Sequence, residues 1–201
     1  MIREFGVVRG DAAVVSSPGL ANYQIAEHAD HVLTLFAMEM AYVSSTALGM
    51  ALGWPGRKVV AVEGDGSMLM GLSVLVTIAR CAPQDLVVIV FDNGVYLTTG
   101  SGTATTATTT GTDIEGVARA AGIPRTATVE TIEAARDVLA RAMRAPGPWL
   151  VVAKVDRSDR DDASGGFYPV PSDVFESAQR FRSAAVGERS GGRPPSRVFK
   201  Y

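Results

Sequence analysis

The sequence predicts an α/β fold, a parallel sheet with helices on both faces, and three observations carry that reading. Val59-Val-Ala-Val62 and Leu86-Val-Val-Ile-Val-Phe91 are continuous apolar, mostly β-branched runs, as in strands buried on both faces. Segments with helical period fall between such runs, so strand and helix alternate along the chain. Both runs then stop abruptly in small, oxygen-bearing residues, Gly64-Asp-Gly-Ser67 and Asp92-Asn-Gly94. In an open parallel sheet, ligands bind at the carboxyl ends of the strands, which is where these residues would lie.

In chain order, residues 1–20 hold one strand, at 12–16, closed by Ser17-Pro-Gly19. A short helix is expected over 22–27 and a strand over 31–36. Residues 40–53 have helical character, with Val43, Ala47, Met50 and Ala51 on one face. Gly53-Trp-Pro-Gly56 ends that helix. The strand 58–63 leads into Gly64-Asp-Gly-Ser67. A helix over 68–81, with Leu69, Leu72, Leu75, Val76 and Ala79 as its apolar set, stops at Pro83 before the strand 86–91. Between Thr98 and Thr112, nine of fifteen residues are Thr. So long a stretch without a period is either functional or a linker. A helix at 113–121, a strand at 126–129, a helix at 130–144 and a strand at 149–155 follow. No internal repeat is visible. Residues 1–155 read as one domain, and 156–201 as a C-terminal extension with a helix at 173–185 and a solvated tail from Gly187.

At 201 residues the chain is long enough for a proper core, and its 47% hydrophobic and 20% charged content is that of a globular protein. A net charge of -2 makes no electrostatic case for nucleic acid or an acidic membrane surface as partner. The apolar runs are far shorter than the ~20 residues of a membrane span. Met1-Ile-Arg-Glu-Phe-Gly6 lacks the apolar core of a signal peptide, so a cytoplasmic chain is expected. With Cys81 alone, no internal disulfide or cysteine-based metal site is possible, and Cys81 reads as a small buried apolar residue.

The chemistry concentrates at the two strand tips. The Asp65 carboxylate and the Asn93 carboxamide, 28 positions apart with room for one crossover helix, are hard oxygen ligands suited to Mg²⁺ or Ca²⁺. Gly64 and Gly66 let backbone approach a ligand closely. Ser67, opening a helix, would place backbone N–H groups and its hydroxyl where a phosphate sits. A magnesium ion held by few protein oxygens completes its shell with phosphates and water, so the pattern points to a Mg²⁺-diphosphate cofactor. Gly-Asp-Gly also serves as a purely structural turn. The second ligand one crossover later, with Tyr96 just beyond it, sets this one apart.

On these residues the sequence resembles the thiamine diphosphate-dependent enzymes, whose signature is Gly-Asp-Gly, about one βαβ unit, then Asn-Asn. Here Asp92 stands for the first Asn and Asn93 keeps the second. The resemblance implies a three-layer α/β/α thiamine diphosphate-binding fold in which Asp65, Asn93 and the backbone carbonyl of Val95 hold Mg²⁺. It also places Gly64, Gly66, Ser67, Gly94 and Tyr96 at the cofactor. Ser44-Ser-Thr-Ala-Leu-Gly-Met-Ala-Leu-Gly53, Arg57-Lys-Val-Val60 and Gly111-Thr-Asp-Ile-Glu115 look like the small cofactor subunit of the sulfopyruvate and phosphonopyruvate decarboxylases, over about residues 10–155. Met40 matches the family's apolar wedge beneath the cofactor rings, with its N–H and the carbonyl of Met38 on the pyrimidine edge. The other reading of both methionines is core filling. Where the family reads Gly-Ser-Met-Gly, this chain has Met38-Glu-Met-Ala41, more crowded and more acidic. Glu39 would tune the cofactor, sit in an interface, or be solvated.

What the resemblance implies is a cofactor-binding subunit of a split 2-oxo acid decarboxylase; the alternative is a subunit of an acyloin-forming carboligase of the acetolactate-synthase type. The family activates the cofactor with a Glu from a separate pyrimidine-binding domain, for which no room precedes position 64. Glu39 and Glu63 lie at the wrong end to replace it. A pyrimidine-domain (alpha) partner subunit in a hetero-oligomer is therefore expected, with a small 2-oxo acid as substrate. A non-enzymatic binding subunit is the reading from another class, and the retained Asp65, Asn93 and Met40 argue against it. A dinucleotide site is disfavoured, because no Gly-x-Gly-x-x-Gly opens a helix after the first strand. His28 and His31 suit a surface or interface, His31 also a substrate contact. The Thr-rich stretch either closes over the cofactor or links elements.

Overall fold

The computed structural model describes residues 1–96, 104–155 and 174–190. Six parallel strands form one sheet: β1 (Ala13–Ser16), β2 (Thr34–Leu35), β3 (Val59–Gly64), β4 (Leu86–Asp92), β5 (Arg125–Val129) and β6 (Trp149–Lys154). Their order is β2-β1-β3-β4-β6-β5. The helices are α1 (Ile2–Val8), α2 (Leu20–His28), α3 (Val43–Gly53), α4 (Asp65–Met70), α5 (Val74–Cys81), α6 (Ile114–Ala121), α7 (Ile132–Arg144) and α8 (Val174–Ser190). This is the three-layer α/β/α fold expected from the sequence.

Strand alternation explains why the central runs are apolar throughout. Val60, Val62, Val87 and Ile89 point to one face and meet Phe5 of α1, Ile25 of α2 and Leu139 of α7. Val59, Ala61, Val88 and Val90 point to the other and meet Ala47 of α3, Leu75 and Ile78 of α5 and Ala118 of α6. With both faces covered, no position in β3 or β4 before the tips is free to be polar except Glu63.

The elements depart from expectation where local polar contacts outweigh the apolar pattern. The strand expected over 31–36 contracts to two residues, because the Leu33 N–H turns back onto His31 Nδ1 at 3.2 Å and the His31 N–H onto Asp30 Oδ1 at 2.7 Å. The helix expected over 68–81 is two helices, and the first begins at Asp65. It breaks at Gly71, where a Cβ would lie 2.6 Å from the Ala41 carbonyl oxygen; the break lets the 38–41 turn pass. Cys81, expected buried, is exposed at the end of α5. α1 was not foreseen; Ile2 and Phe5 bury against α2 and α7, and Arg136 of α7 grips Glu4 at 2.8 Å.

α8 runs through Gly187 to Ser190, past the start of the expected tail. It lies along β2, where the fully buried Ser177 hydroxyl accepts the Phe36 N–H at 3.1 Å. Arg180 forks onto Asp30 at 2.7 and 3.0 Å and stacks over the Phe36 ring. The rest of the expected tail, the segment 156–173 and the first part of the Thr-rich stretch lie outside the described residues.

The path of the chain fixes where a ligand can enter. From β1 it passes outward to β2, then returns to β3 on the other side of β1, so the order reverses between β1 and β3. A crevice opens at such a reversal, at the carboxyl ends of the strands. Ser16 and Gly64 end the two strands that flank it.

Candidate functional site

Asp65 follows β3 directly and is the first residue of α4, with only 1% of its surface exposed. Its Oδ2 accepts from the Thr106 hydroxyl at 2.5 Å and lies 3.2 Å from the Thr108 hydroxyl. Burial holds the Asp65 carboxyl above the usual range and the nearby Asp92 charge adds to this, while Thr106, Thr108 and the Gly66 N–H pull the other way. Asp92 ends β4. Its Oδ1 accepts from Thr108 at 2.8 Å and from the Gly94 N–H at 3.2 Å, and its Oδ2 meets Lys154 Nζ at 2.5 Å from the neighbouring β6. Thr108 therefore stands between two carboxylates.

Asn93 Oδ1 accepts the Val95 N–H at 2.9 Å. Val95 faces Thr105 across a single antiparallel bridge, whose bonds run through the flanking residues: Tyr96 N–H to Ala104 O at 2.8 Å and Thr106 N–H to Gly94 O at 3.0 Å. In that pattern the N–H and C=O of Val95 itself turn away from Thr105, and the N–H reaches the Asn93 carboxamide. Thr106 bonds Gly94 with its main chain and Asp65 with its side chain, so one residue joins the two strand tips. Gly66 has no room for a side chain, since a Cβ there would lie 2.4 Å from the Tyr96 ring.

The methionine turn hangs between β1 and α4. The Met38 N–H donates to Ser16 O of β1 at 2.8 Å, and the Ala41 N–H donates to the Ser67 hydroxyl of α4 at 3.2 Å. Ala41 has φ +72, a conformation that glycine adopts more easily. Met38 and Met40 are half-buried, and Met38 packs against the core under α3; Glu39 is exposed to solvent. The Ser67 hydroxyl is committed inward: it donates to Glu63 Oε2 at 2.5 Å, while Ser44 of α3 donates to Glu63 Oε1. Glu63 is 1% exposed, and burial pushes its carboxyl well up, against the pull of the two serine hydroxyls.

Sequence reasoning missed four participants. Thr106 and Thr108 lay inside a composition signal too uniform to single them out. Lys154 ends the apolar run of β6 as Asp92 ends that of β4, a signal that was legible. Asn22 is 1% exposed and takes the Ser16 hydroxyl at 2.6 Å and the Ala37 N–H at 3.1 Å; only three-dimensional neighbours reveal it. His31 precedes β2 at the amino end of the sheet, away from the tips. His28 ends α2 beside Glu27 and Arg3.

Among the described residues no three His, Cys, Asp or Glu side chains form a cluster. A cation at these tips would take its protein oxygens from one carboxylate, one carboxamide and a main-chain carbonyl, and complete its shell with the ligand it serves. That donor set fits Mg²⁺ with a diphosphate. Two shallow clefts of about 220 and 260 Å³ flank the Asp92–Lys154 pair. Both are smaller than the ~300–1,000 Å³ of an ordinary ligand pocket.

The C-terminal thiamine pyrophosphate-binding domain of thiamine pyrophosphate enzymes matches residues 15–153. Phosphonopyruvate decarboxylase of Streptomyces viridochromogenes is 36% identical over 188 residues, covering 92% of this chain and 45% of that protein. Sulfopyruvate decarboxylase subunit beta of Methanococcus maripaludis is 32% identical over 145 residues, 72% of this chain and 76% of that subunit. The chain thus spans less than half of the first relative and about three quarters of the second. A solved thiamine diphosphate-dependent 4-hydroxybenzoylformate decarboxylase of Rhodococcus jostii RHA1 superposes with a TM-score of 0.60 at 24% identity, over 76% of this chain and 32% of that one, a likeness of fold alone.

Proposed function

The chain belongs to the thiamine pyrophosphate enzyme family, and we propose that it is the cofactor-binding subunit of a split 2-oxo acid decarboxylase of the sulfopyruvate and phosphonopyruvate type. The observation that carries this reading is the joined pair of strand tips, a buried Asp65 beside Asn93 and Val95, next to a turn that presents Met40. Asp65, Asn93 and the Val95 carbonyl would hold Mg²⁺. Gly64, Gly66, Ser67, Gly94 and Tyr96 would line the diphosphate, Ser67 with its main chain because its hydroxyl is engaged with Glu63. Met40 would support the rings, with the Met38 carbonyl at the pyrimidine edge. When bound, thiamine diphosphate supplies an electron sink that lets carbon dioxide leave a 2-oxo acid. The chain's own part is to fix the anionic end of that group and to keep Met40 in place through Ser67 and Ala41.

The two clefts beside Asp92 and Lys154, of about 220 and 260 Å³, are each smaller than an ordinary ligand pocket, which supports a site shared with a second chain. In this reading a pyrimidine-domain (alpha) subunit supplies the activating Glu and the rest of the substrate pocket, forming a hetero-oligomer in the cytoplasm. Residues 1–155 would be the binding domain and 156–201 an extension. No described helix is long and apolar enough to cross a membrane. The same tips serve an acyloin-forming carboligase equally well. Product analysis with one and with two carbonyl compounds separates the two reactions.

The split-enzyme reading has a direct test. The purified chain with Mg²⁺ and thiamine diphosphate is expected to release no carbon dioxide from sulfopyruvate, phosphonopyruvate or pyruvate. Robust turnover by the chain alone would overturn it.

A further inference from the structure

We propose that Thr106 and Thr108 are positioning residues for the bound cation: they hold Asp65 by one oxygen, orienting its carboxylate toward the metal, and Thr108 ties that carboxylate to the Asp92–Lys154 pair. The inference rests on the reading of Asp65 as a Mg²⁺ ligand.

Both hydroxyls converge on the same atom, Asp65 Oδ2, while the Gly66 N–H also bonds this carboxylate. Thr106 is 2% exposed and anchored on three sides. Its N–H bonds Gly94 O at 3.0 Å, its carbonyl accepts the Thr109 hydroxyl at 2.7 Å, and its own hydroxyl reaches Asp65. Residues Ala107–Thr110 form a 3₁₀ turn that ends at Gly111 with φ +106, and this turn carries Thr108 to within 2.8 Å of Thr106 Oγ1. A hydroxyl has one hydrogen, so Thr108 donates to one partner at a time, lying 2.8 Å from Asp92 Oδ1 and 3.2 Å from Asp65 Oδ2, while Thr106 donates to Asp65. Lys154 on the far oxygen of Asp92 offsets the second negative charge beside the ligand.

The same turn contains its own comparison. Thr109 and Thr110 direct their hydroxyls to carbonyls one turn back, Thr106 O and Ala107 O, and among the described residues touch no carboxylate. Composition alone therefore does not aim a hydroxyl at Asp65; position in the turn does. Threonine also suits the task better than serine, because its branched Cβ restricts χ1 and keeps the hydroxyl aimed. Groups that orient a metal ligand from behind typically change metal affinity by about 10- to 100-fold when removed.

The test uses the full chain with Mn²⁺ as the probe and inorganic pyrophosphate as the anion, free Mn²⁺ being read by electron paramagnetic resonance. Thr108→Val and Thr106→Val are expected to weaken Mn²⁺ binding about 10- to 100-fold. Thr108→Ser and Thr106→Ser should retain affinity within about threefold, and Thr110→Val should match the unaltered chain. Should Thr106→Val fold poorly at its buried site, the half-buried Thr108 carries the test. Thr108→Val binding as tightly as the unaltered chain, or Thr110→Val weakening binding equally, would overturn the proposal. If the unaltered chain binds no Mn²⁺ with pyrophosphate, the Asp65 site itself fails and this inference falls with it.

Discussion

Replacing Asp65 by Asn will raise the melting temperature of the cation-free chain and abolish its stabilisation by Mg²⁺ with thiamine diphosphate. The Asp65 carboxyl is held above its ordinary value of about 3.9 by burial, with Asp92 adding to the effect. A raised folded-state value for an acid means that its full contribution to stability is present below the unfolded value. That contribution is lost as pH rises toward the folded value. At neutral pH the buried charge is a standing cost, and a carboxamide removes it while still accepting from Thr106 and Thr108. The same carboxylate is the one anionic side chain among the proposed cation ligands. A ligand at 100 times its Kd stabilises by about 2.7 kcal/mol, and that increment should vanish in the Asn variant. Thermal melts at pH 5 and pH 8, with and without Mg²⁺ and thiamine diphosphate, read both halves. An Asn variant that keeps the full ligand-induced shift would remove Asp65 from the metal site.

Glu63→Ala will cost about 2–4 kcal/mol of stability, whereas Glu63→Gln will cost little, because the two variants differ in what they leave for the serines. Glu63 sits inside the sheet layer at 1% exposure and accepts both Ser44 and Ser67. Alanine strands two hydroxyls away from water and opens a cavity; glutamine can accept from one serine and donate to the other. The sign of the pH effect follows from burial, which raises the carboxyl. Stability contributed here is whole below about 4.3, the ordinary Glu value, and falls as pH climbs to the raised one. Glu63→Gln should flatten that part of the stability–pH curve, which urea denaturation at several pH values measures. The Ala variant should also bind thiamine diphosphate more weakly, since Ser67 is the link between Glu63 and the Ala41 N–H beside Met40.

The framework was legible because its determinants are local. Apolar runs buried on both faces, interrupted by Gly, Pro and polar tips, define β3, β4 and β6 whatever else surrounds them. The tip residues Asp65 and Asn93 were legible for the same reason, each being an abrupt polar end to such a run. What escaped depends on specific polar contacts and close approaches that the apolar pattern does not encode. α4 and α5 separate because Gly71 must pass the Ala41 backbone, a neighbour 30 positions away. β2 is short because Asp30 and His31 capture the backbone before it can extend. Thr106 and Thr108 could not be chosen from nine threonines, because their aim is set by the bridge between Val95 and Thr105. Ser67 was read as a phosphate contact from its place after Gly-Asp-Gly; its hydroxyl instead serves Glu63, four residues back on the preceding strand.

Calorimetric titration of the full chain with thiamine diphosphate tests the central claim most directly. One site per chain is expected, strictly dependent on Mg²⁺, abolished by chelation and competed by inorganic pyrophosphate. Binding that survives chelation and ignores pyrophosphate, or no binding with both cofactor and Mg²⁺ present, would contradict it.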